Sequence, residues 1–207
     1  MQRPHSLPAQ LFLLAVDPGR QRLTGRGEIG YVLRAAALVD LQLGGHLVDD
    51  NGRPKAPDCP PPADPVLDAV LRQVAADPVR RWRYWIRKDA RRIAGQVRDE
   101  LVTGRRIELQ PYRILGIVPA QRIVILDPMA RDRIVGAIDA ALSDAWPVGE
   151  RTAAVVALAA AAEMRIVLPR SRRRAHRQRI AEHTTRTGPV PPALRKLLRD
   201  RRAAAAG

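Results

Sequence analysis

The chain of 207 residues has few aromatic side chains, one cysteine and a shortage of acidic groups. Only 3% of the residues are aromatic, so leucine, valine, isoleucine and alanine must fill the core. A single cysteine, Cys59, excludes a disulfide within the chain, and we expect a cytoplasmic protein. The apolar run within residues 28–47 is too short, and too interrupted by Asp40, to span a bilayer, which needs ~20 predominantly apolar residues.

Motifs that carry catalysis or cofactor binding are also missing. We find no nucleophile elbow, phosphate-binding glycine loop or metal-ligand spacing. Gly25, Gly27 and Gly30 form a GxGxxG pattern, but no strand precedes it and no acidic residue follows a second strand, as a nucleotide site requires. The four histidines fall in predicted loops or in the basic tail, where we expect solvated surface residues. The sequence therefore predicts a protein that is not an enzyme and that has no cofactor or metal.

Positive charge is abundant and unevenly placed. The net charge is +15; residues 80–106 hold ten Lys or Arg against three acidic residues, and residues 170–207 hold twelve against two. Such zones favour a polyanionic partner, which is nucleic acid, an anionic membrane surface or a phosphorylated headgroup. A compositional excess in a scaffold protein is a third explanation, because 33 of the 36 cations are Arg.

Hydrophobic periodicity predicts a mostly α-helical fold, a single globular helical domain with a protruding β-hairpin. Residues 28–47 are apolar on nearly every face, which is typical of a buried central helix, and Arg34 is its one Lys or Arg. Residues 79–102 form a cationic amphipathic helix anchored by Trp82 and Trp85, or two helices joined near Gly95. Further helices are predicted at residues 8–16, 65–75, 128–142 and 150–164.

β-Branched runs between residues 104 and 127 predict the hairpin, with its tip at Gln110, Pro111 and Tyr112. Beyond Pro169 the sequence favours a flexible basic arm, with a last helix at residues 189–202. We therefore divide the chain into a domain at residues 1–180 and a basic C-terminal segment at residues 181–207.

The surroundings of Arg34 decide what the central helix does. A cation in an apolar helix is usually paired, so an internal ion pair with Asp40 or Glu28 is one interpretation. The other is a shared site in which Arg34 and cations of the later basic helix grip a phosphate, since the guanidinium is a preorganised fork of donors. The sequence leaves both open.

Several stretches, taken in order, resemble the bacterial branch of the Golgi phosphoprotein 3 family. They are LFLLAVD, YVLRAAALVDLQLGGHL, DPVLDAVLRQV, YWIRKDARRIAGQVRDELV, RILGIVPAQRIVILD, ARDRIVGAIDAAL and ERTAAVVALAAAAEM. The resemblance covers about residues 9–180 and implies a mostly helical domain with an apolar β-hairpin. Eukaryotic members of that family are peripheral membrane proteins that bind phosphatidylinositol 4-phosphate and help to retain Golgi glycosyltransferases.

The resemblance also implies a headgroup pocket. In the family this pocket uses a Trp, an Arg of the central helix and two basic residues of a later helix. The central Arg corresponds to Arg34, and the later pair falls on Arg87 with Ala90 or, one register along, on Lys88 with Arg91. Thr24 and Gly25 stand where the family has its Trp, so selectivity for the 4-phosphate does not follow.

Two functions are therefore compared. The first is a non-enzymatic peripheral membrane protein that binds an anionic phospholipid or phosphoinositide headgroup through Arg34, Arg87, Lys88 and Arg91, with an adaptor role in the resembled family's sense as an option. In this function, Gln110, Pro111 and Tyr112 contact the membrane. The alternative is a nucleic-acid-binding regulator with a winged helix, although Gln96 is the only Asn or Gln on the basic helix to contact base edges. Homo-oligomer formation stays open.

Overall fold

The computed structural model describes residues 6–77, 79–114, 117–143 and 148–207. The described residues are mostly helical, with three small antiparallel sheets of two strands each. In chain order the elements are α1 (Leu7–Ala15), β1 (Val16–Asp17), β2 (Arg22–Leu23), α2 (Ile29–Leu43), β3 (Val48–Asp50), β4 (Arg53–Lys55), α3 (Pro65–Ala76), α4 (Trp82–Arg87), α5 (Ala90–Thr103), β5 (Ile107–Ile114), β6 (Val118–Ile125), α6 (Pro128–Leu142), α7 (Glu150–Ala161), α8 (Arg170–Ala175), α9 (Arg177–Thr187) and α10 (Val190–Ala206).

Helix α2 is the buried central helix that the sequence predicts. Residues from Ile29 to Leu41 are buried almost without a break, because the helix carries apolar or small side chains on nearly every face. Helices α1, α3, α4, α5, α7 and α10 all pack against it. The predicted mostly α fold with one larger hairpin is confirmed.

Helices α3 and α6 begin at the residues that their capping patterns predict. Asp64 accepts hydrogen bonds from the backbone of Val66 and Leu67, and Asp127 accepts one from the backbone of Ala130. In both helices a proline occupies the first turn, where its missing N–H is not needed. Short-range capping therefore fixes the start of one helix before, and of one helix after, the basic helices α4 and α5.

The cationic segment at residues 79–102 is two helices, and the predicted junction near Gly95 is wrong. The chain breaks after Lys88, where Asp89 adopts a left-handed conformation with φ of 52°. Asp tolerates this region better than most side chains because its short carboxylate bonds locally. Gly95 instead lies inside α5, where a glycine costs stability but need not end the helix.

A close contact between α2 and α5 sets the position of this break. An added Cβ on Gly30 would lie 1.7 Å from the carbonyl oxygen of Ala90, so only glycine permits the two helices to approach this closely. Ala90 is the first residue of α5 and is buried. The N-terminus of α5 therefore packs closely against the N-terminus of α2.

Strands β5 and β6 form the predicted hairpin, but its predicted tip at Gln110, Pro111 and Tyr112 is wrong. These residues lie within β5 and pair with Arg122, Gln121 and Ala120. The register continues to the pair Ile114 and Val118, so the turn is further along the chain. A proline within a strand is tolerated in a two-stranded ribbon because each strand has an unpaired edge. Leu115, part of the predicted apolar run, lies outside the described residues, and Ile117 is 79% exposed.

The expectation of a flexible arm after Pro169 is wrong. Helices α8, α9 and α10 follow, and α9 packs against α7 while α10 packs against α2, α4 and α7. Ile180 and Leu194 are buried on these helices. His183 is buried too, with its Nε2 2.9 Å from the carbonyl oxygen of Ala141, so it is not the solvated side chain that the sequence suggested. The division at residue 180 stays a prediction.

Candidate functional site

Arg34 is almost fully buried, at 2% exposure, in the middle of α2. Its Nε donates to the carbonyl oxygen of Trp85 at 2.9 Å, and its Nη2 donates to the Oε1 of Gln73 at 2.6 Å. The Trp85 carbonyl belongs to the last turn of α4, where carbonyls lack partners within the helix. Arg34 therefore joins α2, α3 and α4 through its donors.

The hydrogen bonds continue from Gln73 to the break between α4 and α5. Gln73 Nε2 donates to Asp89 Oδ2 at 3.1 Å, so a chain of side chains runs from Arg34 through Gln73 to Asp89. Burial lowers the pKa of Arg34 to about 10, although the carboxylate of Asp89 partly opposes this shift. The guanidinium is thus still charged at neutral pH.

Neither ion pair considered for Arg34 is formed. Asp40 is buried and accepts from Arg151, at 2.5 Å to Nη1, and from the backbone of Leu7. Glu28 accepts from Arg202 instead. Sequence reasoning missed Gln73 and Asp89 as the partners of this region, because a single polar residue on an amphipathic helix carries no distinguishing signal.

The other three predicted headgroup residues surround the break, at residues 87–91, which we call the basic corner. Arg87 and Arg91 are exposed. Lys88 is half-buried, with its Nζ 5.5 Å from the centre of the Trp85 ring. Within the described part of the chain, no acidic group lies within ion-pair distance of these three cations.

The start of α5 adds backbone donors to the basic corner. Asp89 is the N-cap residue, but its side chain makes no capping hydrogen bond, since its carboxylate accepts from Gln73 instead. The N-terminus of a helix carries a partial positive charge and unpaired N–H groups, which suit an anion. The helix start and the three cations therefore favour an anion, against which the single carboxylate of Asp89 acts.

Three of the four predicted residues thus lie on one segment, residues 87–91, whereas Arg34 lies on α2, and the four differ in depth. Arg34 meets Trp85 on its backbone side, inside the protein, whereas Lys88 lies over the Trp85 ring and Arg87 and Arg91 face solvent. Ala90, the second position in one of the two registers considered, is buried against Gly30. In the other register both side chains are accessible, because Lys88 lies over the Trp85 ring and Arg91 is exposed. Their role with a headgroup stays a prediction.

Thr24 and Gly25, which stand in place of the family's Trp, border a hollow of about 280 Å³. The Thr24 hydroxyl donates to the carbonyl oxygen of Ala15 at 2.9 Å. Arg202 of α10 reaches across the hollow and donates to Glu28, with a further ion pair to Glu163 at 3.0 Å. The hydrogen bond to Glu28 is the main reason that the pKa of Arg202 is raised.

Two neighbours of Arg202 on α10 also contact other helices, and we call residues 200–202 the C-terminal clamp. Asp200 accepts from Arg83 of α4 at 2.6 Å. Arg201 lies 4.7 Å from the centre of the Tyr31 ring of α2. The clamp ties α10 to both helices that carry the candidate site, a role that its place in a basic tail did not predict.

The three predicted membrane-contacting residues lie along the hairpin rather than at its end. Gln110 and Pro111 are exposed, whereas Tyr112 is half-buried between Arg22, 5.1 Å from the ring centre, and Arg122, at 4.7 Å. Their contact with a membrane stays a prediction.

Two other functional features, a metal-binding cluster and a membrane-spanning helix, are absent from the described residues. No three or more His, Cys, Asp or Glu side chains among them are grouped so as to hold a metal ion. In the same residues, no helix has the length and apolar character required to cross a bilayer.

Comparison with protein families gives a match over nearly all of the chain. A family model described as Golgi phosphoprotein 3 (GPP34) matches residues 7–201, which is nearly the whole chain. No curated protein matches it.

Proposed function

The chain belongs to the Golgi phosphoprotein 3 (GPP34) family, and we propose that it is a non-enzymatic peripheral membrane protein that binds anionic lipid headgroups at the basic corner. The observation that carries this proposal is the set of three cations, Arg87, Lys88 and Arg91, which surround a helix start and have no acidic partner among the described residues. Charged groups left unpaired on an ordered segment are free to bind an anion.

Arg34 acts in this proposal as a positioning residue. With 2% of its surface exposed it cannot form the wall of an open pocket, but it holds the Trp85 carbonyl and, through Gln73, the carboxylate of Asp89. A fixed Asp89 keeps the break between α4 and α5 in one conformation. The outer cations then meet a phosphate without first having to be ordered.

The ligand class follows from what the corner offers. Guanidinium and ammonium groups recognise a phosphate, whereas Thr24 and Gly25 provide no aromatic wall for an inositol ring. We therefore propose binding to anionic phospholipids in general, phosphoinositides included, without selectivity for the 4-phosphate. An adaptor role between such a membrane and a protein partner is part of the proposal.

Sedimentation with vesicles tests the proposal. Each cation near an anionic surface contributes about 1 kcal/mol, so replacing Arg87 and Arg91 with Ala should weaken binding to vesicles containing phosphatidylglycerol by roughly 30-fold. The matched control is Arg72→Ala with Arg133→Ala, which removes the same charge from exposed arginines paired with Asp68 and Asp127. Equal losses of vesicle binding in the two double variants would show that only net charge matters, and they would refute a headgroup site at the basic corner.

The nucleic-acid alternative makes a different prediction. Gln96, the only Asn or Gln among residues 79–102, is half-buried on α5. We expect any binding to DNA to be independent of sequence and to disappear as salt rises. A sequence-selective gel shift without vesicle sedimentation would favour the alternative.

A further inference from the structure

A second cationic feature lies beside the hairpin and shares no residue with the basic corner. Between the hairpin, the loop before α2 and helix α5 is a groove of about 850 Å³, which we call the hairpin groove. Its apolar lining includes Leu23, Ile29, Ala94, Leu109 and Ile123. This volume falls within the ~300–1,000 Å³ typical of sites for small ligands.

Helix α5 contributes a small side chain to the lining of the groove. This residue is Ala94. On the strand side, Leu109 and Ile123 are paired in register, and Ile123 is buried. The base of the hairpin is held by the backbone of Ile123, which donates to the carbonyl oxygen of Gln21. The groove is therefore a feature of packed elements.

The rim of the groove is positive. Arg26 and Arg113 are exposed at its edge, and no carboxylate in the described ranges lies within ion-pair distance of either. Arg98, also on the rim, pairs only with its neighbour Asp99. An apolar floor under unpaired arginines is complementary to a molecule with a hydrocarbon part and an anionic head.

A second hollow extends this positive surface. It has a volume of about 440 Å³ and is lined by Arg20, Arg22 and Arg122. Two of these arginines hold the ring of Tyr112 between them. The side of the hairpin is thus cationic beyond the rim of the groove.

We propose that the hairpin groove binds one acyl chain of an anionic phospholipid taken from the bilayer, with the lipid phosphate against Arg26 and Arg113. The chain covers the apolar floor, and the phosphate neutralises the rim. This site rests on the proposed association with membranes, but it uses no cation of the basic corner. It would give the protein a hold on the lipid chain in addition to the headgroup.

Calorimetry with dihexanoyl phosphatidylglycerol, kept monomeric, tests the site without a membrane. We expect one molecule to bind per chain. Gln121 is exposed and lines the groove, so Gln121→Trp should fill it and weaken binding by at least roughly tenfold. The matched control, Gln178→Trp, makes the same change at an exposed position of α9 and should bind like the wild type.

Three further measurements separate this proposal from the basic corner. Replacing Arg26 and Arg113 with Ala should weaken binding of the phosphatidylglycerol probe, while Arg87→Ala with Arg91→Ala should leave it unchanged. Glycerophosphoglycerol, the same headgroup without chains, should bind far more weakly than the probe. Thermal melting of each variant confirms that it is folded.

The site would be overturned if the wild type gave no binding, if Gln121→Trp bound as well as Gln178→Trp, or if the chain-free headgroup bound as tightly as the probe. If the protein sediments with vesicles through the basic corner but gives any of these results, the lipid site in the hairpin groove is refuted and the proposed function still holds. An acidic peptide that bound in place of the lipid would also overturn the assignment.

Discussion

At the basic corner three cations have no acidic partner among the described residues, whereas at the C-terminal clamp each charged side chain contacts another element. Arg202 bonds to Glu28, 174 residues away, and Asp200 bonds to Arg83, 117 residues away. Both regions lie in the basic zones of the sequence. The comparison teaches that folding uses one set of charges to hold helices together and leaves the other set without acidic partners among the described residues.

The position of the corner depends first on Gly30. Gly30→Ala places a Cβ 1.7 Å from the Ala90 carbonyl oxygen, so α2 and α5 must separate, and we expect a loss of about 3 kcal/mol in the free energy of unfolding. Denaturation with urea measures this. Gly136→Ala, on the exposed side of α6 with no atom near the new Cβ, should instead stabilise by about 0.5–1 kcal/mol. Equal effects at the two glycines would disprove the close helix contact.

The next largest effect is expected from Arg34. Arg34→Met leaves the Trp85 carbonyl and the Gln73 amide without their donor, which should cost about 2 kcal/mol of stability and also reduce vesicle binding. Arg72→Met, at an exposed paired arginine, should change neither quantity. If Arg34→Met lost stability but bound vesicles like the wild type, Arg34 would be structural only and would not position the corner.

A third prediction separates stability from binding by pH. Burial, and then the nearby carboxylate of Asp64, raise the pKa of Glu100 to about 7. Because the folded protein holds this proton more tightly than the unfolded chain, stability should be highest below the ordinary pKa of Glu and should fall as pH rises to about 7. The effect should be smaller than that of Arg34→Met, because Glu100 is half-exposed and screened.

Urea denaturation between pH 4 and pH 8 checks this, with Glu100→Gln as the comparison. The amide variant cannot ionise, so its stability should depend less on pH. Vesicle binding through arginines should stay constant over the same range. A pH dependence unchanged in Glu100→Gln would exclude Glu100 as its source.

The smallest effect concerns the clamp. Arg202→Ala removes its contacts with Glu28 and Glu163, yet the side chain is 40% exposed, so we expect a loss of only about 0.5–1 kcal/mol. Vesicle binding should not change. Arg91→Ala should show the reverse, with unchanged stability and weaker binding. If Arg202→Ala bound vesicles less well than Arg91→Ala, the assignment of stability to the clamp and of membrane binding to the basic corner would be contradicted.

Local patterns predicted much of the fold. Apolar side chains at helical spacing located α2 and α3, and the Asp-Pro pairs located the starts of α3 and α6. The Asn-Gly pair at residues 51–52, a sequence typical of tight turns, forms the turn between β3 and β4, with both residues at positive φ. These features depend on neighbours within a few residues, which the sequence displays directly.

The rest depends on contacts between distant segments. The break at Asp89 follows from the packing of Ala90 on Gly30, and the partners of Arg34 lie on two other helices. The hairpin tip was misplaced because Pro111 resembles a turn residue, although it lies in a ribbon with an open edge. Likewise, charge alone could not show that the basic tail folds onto α7 and α2.

Backbone amide NMR with a soluble glycerophosphoinositol phosphate tests the central claim most directly. Because the headgroup has no acyl chains, it reports on the phosphate site alone. The account predicts the largest shift changes at Ala90 and Arg91, where α5 begins, and little change at Arg201 and Arg202. Changes that are greatest at the clamp, or that are spread evenly over all basic segments, would contradict a headgroup site at the basic corner.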